Sequence, residues 1–340
     1  MNWWKNILAS ASVIILLLSC ERRPLIEPDF KTRVEVKVNI ETIANVTSDV
    51  YNEKIPLPKI EPEVMRVMFY DLHEDQMLGE SFISNIQKDE HDQMTVSGEV
   101  SILPGEYRVM VYAFGTESTL ISKYDSWKGC TAYTDALSQE YLKTLSLKSP
   151  LDEQPIHFQP DHLLAARSEY ESIPWHSGSH VIHSVASSVV ESYYLQVKVQ
   201  GLEYVSSARA VMTSMSGSVP IATAQADYSS PVALYIPLQK SDDKGKPVIC
   251  NIFHTFGRIP ESTNELEVTF DLMTVDGRTV TKSFDISDLF LSQDCIEHHW
   301  LLVEETIVVP PPPDPGPGTS GGGFDPVVDD WENENHEIEM

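Results

Sequence analysis

The chain of 340 residues is long enough for two domains of ordinary size, and its 41% hydrophobic and 22% charged residues match the composition of folded globular proteins. With 51 acidic residues against 24 lysines and arginines, the formal net charge of −27 repels phosphate backbones and excludes general nucleic-acid binding. Four cysteines without a Cys-x-x-Cys pair exclude a disulfide scaffold, a zinc-finger motif and a redox dithiol.

The N-terminus predicts a lipoprotein signal peptide over residues 1–19. Its apolar run, Ile7–Leu18, is shorter than the roughly 20 residues that cross a bilayer as a helix, which favours a cleaved signal over a retained span. The run ends in Leu17-Leu18-Ser19-Cys20, which resembles the lipobox of bacterial lipoproteins. In that motif the cysteine thiol receives a diacylglyceryl group before cleavage on its amino side, here between Ser19 and Cys20. A lipid-anchored protein is therefore predicted, and an ordinary secretory signal followed by a chance cysteine is the alternative.

The lipid determines how strongly the protein binds the membrane, and a short spacer follows it. Two or three acyl chains, such as palmitate, on Cys20 would bind a membrane far more firmly than one chain. Residues 20–31 contain Pro24 and Pro28, which favour an extended spacer over a helix. The spacer sets the distance from the membrane, so the body need not touch the bilayer.

Alternating apolar and polar residues then predict strands through residues 32–186. Val34–Ile40 follow the period of two that is typical of a strand with one face in water. Tyr107–Phe114, after a Pro104-Gly105 turn, is apolar on nearly both faces, which indicates a central strand. Two further strands are predicted at Val64–Tyr70 and Met94–Ile102.

Helical periodicity is scarce. The best helix candidate is Ala136–Leu145, and Asp161–Ala166 fits a single helical turn. Residues 150–188, rich in Ser, His and Pro, show the weakest strand pattern, so the domain boundary is placed near residue 187. The second domain then covers residues 187–309.

Strand patterns return in the second domain, at Tyr193–Val199, Leu266–Leu272 and Leu301–Val309. Asp276-Gly277 predicts a two-residue type I′ hairpin turn, which fixes the register of its strands and places Asp271 opposite Lys282. Short strands without long helical crossovers predict an all-β fold with two β-sandwich domains in tandem.

The composition changes abruptly after Val309. Residues 310–323 contain mostly Pro and Gly and predict a linker. Residues 324–340 form an acidic tail without Lys or Arg, which is either simply solvated or docks as a strand on a sheet edge. The residues that a docking tail would use are its apolar ones, above all Phe324, Val327, Val328 and Trp331.

Motifs for catalysis or cofactor binding are missing from the sequence, which has no P-loop, G-x-G-x-x-G, G-x-S-x-G, H-E-x-x-H or EF-hand spacing. We therefore predict no catalytic residue, no cofactor, no metal and no enzymatic activity. A histidine cluster would need a helix to share a metal, and the surrounding Ser-Gly-Ser favours a polar interdomain loop instead. The cluster consists of His176, His180 and His183, with His157 and His162 upstream.

Cysteines and tryptophans leave alternatives open. Once Cys20 is lipidated, Cys130, Cys250 and Cys295 remain, and either Cys250 bonds to Cys295 or the thiols stay buried and free. Trp127 and Trp175 are either parts of a sugar-binding platform or core residues.

Several short motifs resemble Bacteroidales lipoproteins related to fimbrillins and Mfa-like fimbrial anchors. They are Ser19-Cys20-Glu21-Arg22-Arg23, the Leu103–Tyr107 turn and strand, Gly201-Leu202-Glu203 with Ser214–Gly217, Asp276-Gly277 before Phe284-Asp285-Ile286, and Gly321–Asp325 with Asp330-Trp331-Glu332. The resemblance implies transthyretin-like or Ig-like sandwiches on an outer-membrane lipid anchor. Stalk subunits of that group exchange strands, but no well-marked arginine cleavage site precedes a strand here, Arg33 before Val34 being the nearest. An anchor or accessory subunit therefore fits better than a stalk subunit.

Two functions follow from these patterns. The first is a fimbria-associated anchor or accessory subunit of the outer membrane, facing the periplasm or the cell surface, that binds fimbrial or other envelope proteins through open sheet edges. The alternative is a surface lipoprotein that binds glycans for a polysaccharide-uptake system through an aromatic platform.

Overall fold

The computed structural model describes residues 30–41, 51–58, 60–145, 154–175, 179–259 and 266–313. These residues form two eight-stranded β-sheets, one centred on each domain, and a three-stranded sheet to which both halves of the chain contribute. The predicted all-β class and the tandem sandwich architecture are confirmed. The predicted signal peptide and the acidic tail lie outside the described residues.

The first half of the chain contains eleven strands and a short helix. They are β1 (Thr32–Ile40), β2 (Val64–Asp71), β3 (Met77–Ile83), β4 (Asn85–Lys88), β5 (Met94–Ile102), β6 (Gly105–Phe114), β7 (Leu120–Ser122), β8 (Thr131–Tyr133), α1 (Gln139–Leu145), β9 (Ile156–His157), β10 (Leu164–Ile173) and β11 (Ser179–Ser188).

The second half continues with further strands and a second short helix. They are β12 (Glu191–Gln200), β13 (Val205–Ser216), β14 (Ser218–Pro220), β15 (Pro231–Asp243), β16 (Lys246–Thr255), β17 (Glu267–Thr274), β18 (Thr279–Asp285), α2 (Gln293–His298) and β19 (Trp300–Val308), with single 3₁₀ turns at Leu202–Tyr204 and Leu289–Leu291.

The first sheet has the strand order β3-β2-β6-β10-β11-β1-β5-β4 and folds into two layers. β10 meets β11 only at two residue pairs, beginning with Leu164 and Ser188, and this short junction links the two layers. The alternation predicted for β1 is confirmed, because Val34, Val36 and Val38 are fully buried. β6 lies between β2 and β10 and is buried along most of its length, which confirms the central strand.

The second sheet has the order β18-β17-β13-β15-β16-β12-β19, with β9 beside β15. β15 passes from one layer to the other, because residues 231–238 pair with β13 and residues 239–243 pair with β16. In both domains the first strand runs parallel to the last strand and is hydrogen-bonded to it, β1 to β11 and β12 to β19.

The β17–β18 hairpin forms where it was predicted, but its predicted register is wrong by one residue. Asp271 lies opposite Thr281, and Lys282 lies opposite Phe270. The expected cross-strand ion pair is replaced by a hydrogen bond of 2.6 Å that Thr281 Oγ1 donates to Asp271 Oδ1.

The shift in register comes from the turn. A type I′ turn needs a positive φ at both central residues, whereas Gly277 has a φ of 81° and Asp276 does not have a positive φ. The loop is therefore Val275-Asp276-Gly277, and the N–H of Thr274 donates to the carbonyl oxygen of Arg278 at 2.8 Å across its base.

The two helix predictions had different outcomes. Ala136–Leu145 contains α1, which begins at Gln139, so that prediction is confirmed. The helical turn at Asp161–Ala166 is wrong, because residues 164–166 begin β10 and their small and apolar side chains are buried. Both β10 and β11 lie within residues 150–188, the stretch with the weakest sequence pattern. The pattern of β10 is weak because its buried and exposed positions do not alternate regularly.

Strands and side chains from each half cross to the other. β14 pairs with β8, which also pairs with β7, and β9 pairs with β15. Val219, Ile221 and Phe256 from the second half pack into the first core. The boundary near residue 187 stays a prediction, and the two domains share an extensive interface.

Candidate assembly surfaces

The chain enters the described body at the end of the first domain that is remote from the second domain. Phe30 is the first described residue, and β1 begins at Thr32, opposite Ile102 of β5. The end of β10 lies here as well, because Ile173 pairs with Gly105. Any segment that precedes residue 30 therefore leaves from this end.

The chain leaves the second domain at the end remote from the first. The N–H of Val309 donates to Gln200 O at 2.9 Å, which continues the β12–β19 pairing past the end of β19. The Arg278 guanidinium, 2.7 Å from Asp276, donates to Pro310 O at 3.4 Å and to Pro311 O at 3.1 Å. The tip of the β17–β18 hairpin thus holds the first prolines of the predicted linker.

Strand direction places these two ends at opposite poles of the two-domain body. β11 runs parallel to β1 and ends at Ser188, and β12 begins at Glu191 opposite Thr255. β12 and β19 then run parallel away from this junction toward Val308. A strand of about ten residues spans roughly 30 Å, so one domain length lies on either side of the junction.

Polar side chains lock the junction between the domains. Gln159 donates to Tyr235 O at 3.1 Å and accepts from the N–H of His254 at 2.9 Å. Gln154 accepts from the N–H of Ser214 at 2.9 Å, and Arg167 donates to Ile221 O at 2.9 Å. These bonds satisfy backbone groups of the second half with side chains of the first half, so both domains contribute to each contact.

Two histidines face each other beside this network. The rings of His162 and His254 lie 4.4 Å apart, and both contact the hydroxyl of Ser192, at 3.2 Å and 2.9 Å. Burial lowers the pKa of His254 to about 4, with a further contribution from His162, and burial also lowers the pKa of His162. Both rings are therefore neutral at neutral pH.

The Ser192–His254 pair has the distance of a nucleophile and its base, but its position argues against catalysis. The Ser192 side chain is completely buried, so no substrate reaches its hydroxyl. A neighbouring pocket of about 620 Å³ is lined by Phe114, Asp161 and both histidines. The arrangement serves to satisfy buried polar groups across the interface.

Open sheet edges are the other candidate binding surfaces. Within the described residues, β3, β4, β18 and β19 form the edges of the two large sheets. β4 is short and exposed, with Lys88 beside Glu61 at 3.0 Å, and β19 has a register shift that leaves Glu304 and Glu305 exposed. Short strands, charges and bulges all discourage an added strand.

β18 is the most regular of these edges. It pairs with β17 from Glu267–Asp285 to Met273–Thr279 without a register shift, and most of its side chains are exposed. It also belongs to the hairpin whose Arg278 holds the chain at Pro310 and Pro311. A strand added to β18 would find a regular row of backbone donors and acceptors next to the point where the chain leaves the body.

A family model described as "Domain of unknown function (DUF5119)" matches residues 19–236, more than half of the chain. The chain belongs to this family. The DUF5119 match begins at the serine of the predicted lipobox and extends into β15 of the second domain.

One named relative of this DUF5119 protein carries the name of a fimbrial subunit. It is 23% identical over 252 residues to a Bacteroides ovatus protein named provisionally as fimbrium anchoring subunit Fim4B. The alignment covers 74% of this chain and 65% of that protein, so it spans just under two thirds of the relative.

One solved structure shares the fold, and a second matches with a lower TM-score. A provisionally assigned adhesin from Bacteroides ovatus ATCC 8483 has a TM-score of 0.56 at 20% identity, with 87% of this chain and 98% of that chain covered. The fimbrial anchor protein Mfa2 from Porphyromonas gingivalis has a TM-score of 0.45 at 12% identity, with 81% and 90% covered. The adhesin confirms the fold of the DUF5119 chain.

The predicted lipidation, cleavage and tail-docking residues lie outside the described part of the DUF5119 chain. Ser19 and Cys20 precede Phe30, and the tail residues Phe324, Val327, Val328 and Trp331 follow Pro313. Lipidation and tail docking therefore stay predictions. No helix within the described residues is long and apolar enough to span a membrane.

The histidines do not form one site. His176 lies outside the described residues, while His180 and His183 lie three positions apart on β11 and so point to opposite faces. His157 and His162 lie at the domain junction instead. Among the described residues no group of three or more His, Cys, Asp or Glu side chains is arranged to hold a metal ion.

Burial decides between the alternatives for the cysteines and for Trp127. Cys130, Cys250 and Cys295 are buried and free, and burial raises the pKa of the Cys130 and Cys295 thiols to about 11. Trp127 is 3% exposed and packs edge-on against Tyr70, so it is a core residue and not part of a sugar platform. Trp175 is 67% exposed.

Two features escaped the sequence analysis. The pair of His162 and His254 comes together only through the fold, and no local motif marks it. No sequence pattern marks Arg278 either, although its contacts with Pro310 and Pro311 fix where the chain leaves the second domain.

Proposed function

We propose that this DUF5119 protein is a lipid-anchored subunit of the cell envelope that acts as an anchor or accessory subunit of a fimbria. The observation that carries the proposal is the placement of the chain ends at opposite poles of two interlocked domains. One pole leads toward Cys20 and a membrane, and the other leads toward a linker and a partner. The name of the Bacteroides ovatus relative, fimbrium anchoring subunit, supports the same role.

The proposed attachment to the partner is through the acidic tail and the open sheet edges. The tail follows a Pro and Gly linker that begins beside β18, so the tail and this edge present adjacent surfaces to a partner. Backbone hydrogen bonds of an added strand would supply affinity, and the apolar residues Phe324, Val327, Val328 and Trp331 would supply selectivity. The role needs no active site, and the proposed function is not enzymatic.

The proposed location is the outer membrane, with Cys20 acylated and the body in the periplasm or at the cell surface. Mass spectrometry of the protein from its native host tests this, and we expect a mature chain that begins with acylated Cys20. The Cys20→Ser variant is expected to lose membrane association, and an unacylated Cys20 in the native protein would contradict the anchor.

Substitutions in the tail separate docking from mere solvation. Changing Phe324, Val327, Val328 and Trp331 to Ser is expected to abolish co-purification of fimbrial subunits, because the apolar contacts are removed while the charge stays. The matched control changes the tail carboxylates to their amides and should retain co-purification if the apolar residues dock. Co-purification at the wild-type level with both variants would show that the tail has no part in binding. The amides replace Asp325, Asp329, Asp330, Glu332, Glu334, Glu337 and Glu339.

A further inference from the structure

An exposed apolar patch lies at the pole where the chain enters the first domain. Phe30 is 48% exposed, and its ring lies 5.3 Å from that of Trp175, which is 67% exposed. Leu103, in the turn between β5 and β6, is 52% exposed. These three residues, here called the tether-end patch, come from three separate segments, and such a concentration of large apolar side chains marks an interaction surface.

Hydrogen bonds hold the three segments of the tether-end patch together. Thr32 Oγ1 donates to Pro174 O at 2.9 Å, which fixes the segment that carries Trp175 beside the start of β1. The pairing of Thr32 with Ile102 brings the turn that carries Leu103 beside the start of β1, and Tyr107 Oη donates to Leu103 O at 2.8 Å within that turn. The patch is therefore built into the domain and does not depend on a chance contact of two side chains.

The position of Phe30 in the chain indicates what covers the patch, if the proposed lipid anchor is correct. Phe30 lies ten positions after Cys20 in the sequence, and a chain of that length reaches at most about 35 Å when fully extended. A flexible chain of ten residues has a mean span of only about 18 Å. Phe30 is the described residue nearest to Cys20 along the chain.

The chemistry of the patch fits a membrane surface. Aromatic rings, Trp above all, prefer the boundary between headgroups and acyl chains. Arg33 is exposed beside the patch and suits the phosphates of lipid headgroups, while Glu106 at the same pole accepts a hydrogen bond from Tyr170 at 2.9 Å. A second weak membrane contact adds to the hold of a lipid anchor.

We propose that the tether-end patch inserts Trp175, Phe30 and Leu103 into the headgroup region of the membrane that holds the acylated Cys20. The first domain then stands on the bilayer with β1 pointing away from it. The spacer of residues 20–29 acts as a short strap, and the body does not move freely on it.

Tryptophan quenching by brominated lipids tests this proposal. The lipidated chain, with Trp331 changed to Phe to remove the tail signal, is reconstituted into vesicles of phosphatidylethanolamine and phosphatidylglycerol with brominated acyl chains. We expect quenching relative to unbrominated vesicles, loss of that quenching in Trp175→Phe, and reduced quenching in Phe30→Ser. Trp127, which is 3% exposed, and Trp300, at the start of β19 near the domain junction, supply the fluorescence that should stay unquenched.

Phe114→Ser is the matched control. Phe114 is 53% exposed and its ring lies 5.1 Å from that of Phe82, so it resembles Phe30 in exposure and in aromatic pairing. It lies at the opposite end of β6 from Gly105, and the variant is expected to keep full quenching.

The outcomes separate this proposal from the proposed function. Equal fluorescence in brominated and unbrominated vesicles, in a chain whose Cys20 is acylated by mass spectrometry, would overturn the membrane contact and leave the anchor intact. Trp175 that becomes protected only when fimbrial subunits are added would assign the patch to a protein partner and also overturn the proposal. An unacylated Cys20 in the native host would overturn both.

Discussion

Single residues at the poles and at the junction carry much of the architecture. Gly201 lies where β12 ends, with a φ of 84°, and a Cβ atom there would collide with the carbonyl oxygen of Val309. Only glycine combines this conformation with such a close approach of two backbone segments. The residue therefore allows the chain to leave the second domain alongside the start of the 3₁₀ turn at Leu202–Tyr204.

Gly201→Ala is expected to lower the free energy of unfolding more than Gly245→Ala does. Gly245 has nearly the same φ, 85°, but open space around its Cβ position, so its substitution carries only the backbone cost of about 1 kcal/mol. Gly201→Ala adds the clash with Val309, about 1–3 kcal/mol more. Urea denaturation of both variants measures the difference, and equal losses would contradict the role of the close approach.

The buried His254 should make stability depend on pH. Its pKa of about 4 in the folded chain lies below the usual value near 6.5, so the unfolded chain binds more protons between these values. The neutral ring makes its full contribution to the free energy of unfolding above pH 6.5. This contribution, about 3 kcal/mol in total, is lost as the pH falls toward 4.

Denaturation at a series of pH values measures this slope. His254→Asn, which retains a polar atom near Ser192, is expected to flatten the dependence between pH 6.5 and 4. His183→Asn, on an exposed position of β11, is the control. His162, whose pKa is also lowered by burial, should leave a smaller slope, and an undiminished slope in His254→Asn would contradict the role of His254.

Among the strands, the sequence predicted best those with one face exposed to solvent and the other face buried in the core. β1 shows this most clearly, since its alternating valines are the residues that the core buries. β10 and β11 were missed because β10 mixes buried and exposed positions irregularly and because β11 pairs with β1, a partner far away in the chain. Sequence periodicity reports the local environment of a strand and not the distant partner that stabilises it.

The β17–β18 hairpin shows a second limit. Asp-Gly favours a type I′ turn in isolation, but Thr274 hydrogen-bonds Arg278 and the N–H of Val275 donates to Tyr204 O at 2.9 Å. These contacts with the neighbouring 3₁₀ turn select the three-residue loop. Of the residues in the tether-end patch, only Trp175 was named from the sequence, because Phe30, Leu103 and Trp175 come together only in the folded chain.

Arg278→Ala is expected to release the chain after Val309 without unfolding the second domain. The guanidinium is partly exposed, so its loss should cost less than about 1 kcal/mol of global stability. The local effect is larger, because Pro310 and Pro311 lose their donors. Hydrogen exchange at the Val309 amide should become faster, while Lys282→Ala on the same hairpin should leave the exchange rate unchanged. An unchanged rate in Arg278→Ala would show that Val309 alone holds the exit.

For the whole molecule, the interface between the domains matters as much as either core. Both domains contribute strands to the three-stranded sheet, and the Gln159 side chain of the first domain hydrogen-bonds the backbone of Tyr235 and His254 in the second. The two domains are therefore held to each other by backbone as well as side-chain contacts. This suits a protein that would connect a membrane at one pole to a partner at the other.

The parallel pairing of first and last strands has a mechanical consequence. A force applied between the two chain ends pulls β1 against β11 and β12 against β19 along their lengths, so each row of hydrogen bonds is sheared and resists as a unit. Pulling the same chain through attachment points at Phe30 and Leu103 would instead peel β1 from β5 one bond at a time. Single-molecule force spectroscopy should therefore record a much higher rupture force between the ends than between these two points, and equal forces would contradict it. Tension from a filament attached at one pole would act between the two chain ends, which is the direction in which these strand pairs resist most.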